Sequence, residues 1–166
     1  MSGVHLALAA RIRQEVDSLN LVVARAERAA ERMRGQPDPL WADAAALNLH
    51  DFYAGLERLF RLIASQVDGS VPSGQEWHRD WLRQMGLFLK RVRPAVLSPE
   101  TVKRLDEYLR FRHVVRNVYA LELDPERLLP LVHHLRPVFG LVRQDLLEFA
   151  FFLEDACGPN GLEVQG

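Results

Sequence analysis

The stretch Tyr108-Leu-Arg-Phe-Arg-His-Val-Val-Arg-Asn-Val-Tyr-Ala-Leu-Glu-Leu-Asp124 reads as one helix that crowds chemistry-bearing side chains together. It holds four basic residues (Arg110, Arg112, His113, Arg116), an amide (Asn117) and a phenol (Tyr119). At about 100° per residue, Arg112, Arg116 and Tyr119 fall within roughly 60° of one another, so a cationic stripe ends in a hydroxyl. Such a stripe can hold a phosphate. The other use of these arginines is to pair with Glu122, Asp124 or acids on other helices.

Working outward, Ser98 is placed to cap this helix, with Pro99 at its first position and Glu100 in its first turn. Asp124-Pro125-Glu126 repeats the signal and opens a further helix, about 125–154, with apolar positions at Leu128, Leu131, Leu135, Val138, Leu141, Val142 and Leu146. Pro137 and Gly140 are expected to kink or split it. Towards the N-terminus, Leu8, Ile12, Val16, Leu19, Val23 and Ala26 mark an amphipathic helix over about 2–34, stopped by Gly35-Gln-Pro-Asp-Pro39. A second helix, about 40–67, presents Leu47, Leu49, Phe52, Leu56, Leu59, Phe60 and Ile63 as the central core. A third, about 75–92, carries Trp77, Trp81, Leu82, Met85 and Phe88 before Arg93-Pro94 ends it. Between these two, Asp68-Gly-Ser-Val-Pro-Ser-Gly74 reads as a surface loop.

No segment alternates with a two-residue period and no internal repeat occurs, so the fold class is all-α, an antiparallel bundle of four to five helices. The 166 residues, 48% apolar, suit a single domain over 1–157, with a flexible tail at 158–166. Phe149, Phe151, Phe152 and Leu153 lie on nearly all faces of one helix end, more than a monomer core is expected to cover, which favours a homodimer.

A net charge of −1 excludes a generally basic nucleic-acid coat, so any contact with nucleic acid has to be local. All basic residues but Lys90 and Lys103 are arginine or histidine. The single cysteine, Cys157, excludes an intramolecular disulfide and a Cys cluster for zinc. The apolar run 4–10 has no basic residue before it and is broken by Arg11 and Arg13, unlike a signal peptide or membrane span. These features fit a soluble, cytoplasmic protein. His133-His134 reads as a surface pair, since adjacent positions point about 100° apart on a helix. His78, between Trp77 and Arg79, reads as a capping or hydrogen-bonding group. Neither a phosphate-binding Gly-rich loop nor a serine nucleophile elbow is present. No metal or cofactor is expected.

Arg112-His-Val-Val-Arg-Asn117-Val-Tyr119 resembles the R-x-x-x-x-H-x-Y motif of HEPN ribonucleases of the HepT type. The flanks are similar as well: His50-Asp-Phe-Tyr53, Glu57-Arg58, Trp77-His78, Met85, Phe111-Arg112 and Glu122-Leu-Asp124, so the likeness covers about 45–130. The resemblance implies a metal-independent endoribonuclease, the toxin of a toxin–antitoxin pair. In such enzymes a 2′-hydroxyl attacks the neighbouring phosphate, the histidine moves protons and the arginine stabilises charge. Catalytic roles then fall on Arg112, position 117 and His113, and phosphate binding on Arg116 and Arg110. The expected partners are RNA, a second copy of the chain, and a nucleotidyltransferase antitoxin that transfers AMP from ATP to the motif tyrosine, here Tyr119.

One position departs from that pattern. Where the family places its histidine this chain has Asn117, which hydrogen-bonds but does not titrate near pH 7. Losing an acid/base group costs about 10²–10⁴ in rate. Three readings stay open: a weakened or dead nuclease, a nuclease in which His113 has taken over, or a histidine deliberately replaced. Arg112 and position 117 also point about 140° apart on a regular helix, too far to act on one phosphate from one chain. A two-fold dimer would resolve this, as the family is thought to do. The alternative from a different class is a catalytically silent HEPN-like scaffold that dimerises and binds the nucleotidyltransferase.

Overall fold

In the computed structural model, residues 2–35, 38–117 and 123–156 are described. Among them are five α-helices and no strand: α1 (Ser2–Gly35), α2 (Pro39–Ile63), α3 (Trp77–Met85), α4 (Pro99–Asn117) and α5 (Pro125–Asp155). The predicted tail lies outside the described residues.

The periodic positions of α1 all face the core: Leu8, Ile12, Val16, Leu19, Val23 and Ala26 are buried. Asp38 caps α2 by accepting from the Leu40 N–H at 3.0 Å, with Pro39 at the first helical position, where its missing N–H costs nothing. α2 packs against every other helix, which makes it the centre of the bundle. Its stripe is buried from Leu49 to Ile63, but Leu47, expected inside, is exposed. Ala45, Ala46 and Leu49 supply the buried face at that level, and Leu47 points away from it. The helix closes in a π-helical turn, Ala64–Asp68, followed by Gly69 in the left-handed conformation (φ 67°).

Cross-helix pairs set the register. Arg13 forks onto Glu154 (3.1 and 2.8 Å), while Arg136 forks onto Glu27 (2.9 and 2.6 Å) and reaches Asn20. Residue numbers rise along α1 as they fall along α5, so the two run antiparallel. Arg58 pairs with Glu15 while Gly55 lies against Leu19, so α1 and α2 run antiparallel as well. Asp145 of α5 joins the start of α4 to the bundle. Its Oδ2 accepts from the Ser98 N–H (2.8 Å) and the Thr101 hydroxyl (2.5 Å), while Ser98 Oγ accepts from the Thr101 N–H. The expected Ser98 cap is therefore present and is itself held from α5. Further along, the Tyr108 hydroxyl donates to the Leu131 carbonyl, again antiparallel.

Two expectations need correction. The third helix ends at Met85 rather than near residue 92, and Phe88 is 71% exposed. The reason is Arg93, whose guanidinium donates to the carbonyls of Gln84, Leu87 and Pro94 and to both oxygens of Asp68. The carbonyl ends of α3 are met by an arginine and by the Val96 and Leu97 N–H groups, both bonded to the Met85 carbonyl, so the helix has no need to continue. The chain instead makes a tight turn between Leu89 and Arg93, with Arg91 left-handed at φ 66°. Second, α5 is not split. Pro130 and Pro137 lie inside one continuous helix, both exposed, while Leu131, Leu135, Val138, Phe139 and Val142 bury the opposite side across them. At its end Phe149 and Leu153 are buried and Phe152 half-buried, and Arg13 lies 4.6 Å over the exposed Phe151 ring. The monomer thus covers most of the apolar surface that the sequence reading had left over for a dimer.

Candidate functional site

α3 and α4 pack antiparallel: His78 meets Arg112 at one end of the seam, and a Cβ on Gly86 would touch Val102 at 3.0 Å at the other. α2 lies beneath that first end, and its one buried acid, Glu57, rises into it. Glu57 Oε1 is 2.6 Å from His78 Nδ1, and Glu57 Oε2 is 3.0 Å from Arg112 Nε. Arg112 Nη1 lies 3.3 Å from His78 Nε2. One carboxyl thus bridges a guanidinium and an imidazole in a space that water barely enters. The geometry fits the tautomer in which Nδ1–H donates to Glu57 and Nε2 accepts from Arg112.

The contact between Arg112 Nε and Glu57 is an ion pair by distance, yet Nε is not aligned for a hydrogen bond. Attraction at that point is Coulombic. Tyr53, one turn before Glu57, is fully buried, and its hydroxyl has no hydrogen-bond partner among the described residues. Burial and then the Glu57 charge push its phenol well above the ordinary range. Trp77 covers the His78 ring at 3.2 Å between centroids, and His113 meets it edge-on at 5.4 Å.

Of the expected stripe, Arg112 is the residue whose side chain is described. Arg112 turns inward, with its side chain 11% exposed, and pairs with an acid on another helix, as the second use of these arginines foresaw. Arg110, two residues earlier, is exposed and bonded to Asp106. His113 is exposed next to the buried cluster. The described part of α4 runs to Asn117, but the side chains of Arg116 and Asn117 are not described, and Tyr119 lies outside the described residues. His78 is a hydrogen-bonding residue, as expected, but a buried one. His133 and His134 are both exposed, and no group of His, Cys, Asp or Glu among the described residues could hold a metal ion.

Sequence reading missed the bridging role of Glu57. The available signal was a charged residue within the buried stripe of α2, between Leu56 and Leu59 and one turn from Tyr53.

A family model described as "HepT-like protein" matches residues 44–153, from the first turns of α2 almost to the end of α5. The chain belongs to the HepT-like family. The match holds Glu57, His78 and Arg112 together, and it leaves α1 outside. No curated protein and no solved structure matches the chain. Among the described residues of this HepT-like protein, no helix is long and apolar enough to cross a membrane.

Proposed function

We propose that this chain is the toxin of a toxin–antitoxin pair, a HEPN-type endoribonuclease fold whose RNA site lies at the end of α4. The observation that carries the reading is Arg112 set beside His113 on a buried Glu57–His78 support within a HepT-like chain. Arg112 stabilises charge on the phosphate oxygens, and Arg116 and Arg110 hold neighbouring phosphates. His113 is the exposed titratable group nearest Arg112 in sequence, and Asn117 occupies the place of the motif histidine. No metal is needed for transfer of the phosphorus from the 5′-oxygen to the 2′-oxygen: the 2′-hydroxyl loses its proton to a base and the leaving 5′-oxygen gains one.

Two features favour the silent-scaffold reading. Asn117 cannot move a proton, and Glu57 already neutralises much of the Arg112 charge.

A second copy of the chain completes the site, because Arg112 and position 117 diverge by about 140° on one helix. Light scattering at micromolar concentration should then give twice the 19.0 kDa chain mass, and a monomer would count against the shared cleft.

Regulation falls on Tyr119, the acceptor of AMP from a nucleotidyltransferase partner. The phenol oxygen attacks the α-phosphorus of ATP, pyrophosphate leaves, and the phenolic proton passes to solvent or to a base of the partner. Burial of the other two tyrosines supports this assignment. Tyr53 is 0% and Tyr108 1% exposed, and desolvation first of all raises both phenols, so neither is reachable or readily ionised. Incubation with the partner enzyme, ATP and Mg²⁺ should add one AMP to the intact mass, and Tyr119→Phe should remove it. AMP on Tyr53 or Tyr108, or on no tyrosine, would withdraw the antitoxin half of the proposal.

A further inference from the structure

The α3–α4 seam opens into a groove of about 430 Å³. Arg79 and Arg83, one turn apart on α3, form one bank, and Lys103 and Arg110, two turns apart on α4, form the other. Asp106 is the one acid in the lining, and Leu82 and Val102 form an apolar floor. Four cations against one acid is a local concentration, because the whole chain has 21 Lys and Arg against 22 Asp and Glu.

We propose that this groove is a track for the sugar–phosphate backbone of single-stranded RNA, carrying the strand away from the Arg112 site along the α3–α4 seam. The inference rests on the RNA reading above and extends it to Arg79, Arg83 and Lys103. Charge and position support RNA over an acidic protein segment. Arg79 follows His78 on α3, and Arg110 precedes Arg112 by two residues on α4, so the groove reaches the same level of both helices as the candidate site, on a different face. Cations on both banks, spaced in helical turns, suit a ligand with a regular repeat of negative charge.

The ion pairs now present do not block such a ligand. Arg79 to Glu76 (3.5 Å), Arg83 to Asp80 (3.9 Å) and Arg110 to Asp106 are pairs within one helix whose cations are largely exposed. Exposed pairs of that kind are weak, and a phosphate replaces them at little loss. Lys103 forms no ion pair among the described residues, and its neighbour in charge, Glu100, is bonded to Arg104.

The test is the anisotropy of a short fluorescent single-stranded RNA, repeated with its uncleavable 2′-deoxy form, over a salt series. The full chain is compared with the double variant Arg79→Ala/Lys103→Ala, and Arg143→Ala on α5 serves as the control. The double variant should bind roughly tenfold or more weakly regardless of base sequence, with a salt slope shallower by about 1.4, two lost phosphate contacts at about 0.7 each. Arg143→Ala should match the parent. If the parent binds RNA and the double variant binds it equally, with the same slope, the groove inference fails while the RNA reading stands. A parent that binds no RNA even at low salt overturns both. If the double variant keeps RNA but loses the nucleotidyltransferase, the groove is a protein-docking surface and the inference is overturned.

Discussion

Asn117→His should raise RNA cleavage by this chain by about 10²–10⁴, because it supplies the acid/base group that the motif otherwise lacks. The rest of the site is already in place on one side. Arg112 is held against Glu57 and His78, so the substitution adds a proton carrier at the end of α4 without having to build an anion site. The buried residues of α4, Leu105, Tyr108 and Leu109, lie two turns or more before position 117. Cell toxicity should rise with the cleavage rate. In the same background Arg112→Ala should abolish cutting, and His113→Ala separates two routes. If His113 has taken over the proton transfer, the parent already cleaves RNA and loses that activity on the substitution. No gain from Asn117→His, with the helices intact by circular dichroism, would favour the scaffold reading.

Local signals carried most of the fold. The three- and four-residue spacing from Leu8 to Ala26 placed α1, and the capping patterns at Ser98 and Asp124 lie at helix starts in the structure. Each is decided within a few residues, so the sequence displays it. The errors arose where distant residues decide. α3 stops because Asp68, Gln84 and Arg93 close a knot across some 25 residues, which no periodicity in 75–92 reveals. Phe149 and Leu153 disappear into the core because other helices reach them, which made the surplus of apolar surface look larger than it is. The site shows the same division. Its residue types were visible in Arg112, His113 and the Glu57 and His78 stretches, but their meeting depends on three helices packing in one register. The inward turn of Arg112 follows from that packing alone.

Arg93→Ala should destabilise the fold by about 3–5 kcal/mol, the usual cost of stranding one partner of a buried ion pair. The Arg93 and Asp68 side chains are 0% and 2% exposed, and the pair is bidentate at 2.5 and 2.7 Å. Without the guanidinium, Asp68 keeps only Gln84 among the described side chains, and the carbonyls of Gln84, Leu87 and Pro94 lose a donor together. Arg93→Lys should rescue little, since one ammonium has three donors and no planar fork to meet five bonds. The matched apolar pair Asp68→Leu/Arg93→Met should be milder than either single change, because no charge is left buried, although the three carbonyls still lose their donor. Arg104→Ala breaks only an exposed contact to Glu100 and should leave stability nearly unchanged. Urea unfolding of these variants, with Asp68→Leu and Arg93→Met measured singly, orders these effects. A loss below about 1 kcal/mol for Arg93→Ala would mean that this clamp does not hold the end of α3. A full loss would also show up at the site, because the clamp that ends α3 at Met85 sets where His78, two turns earlier, meets Glu57 and Arg112.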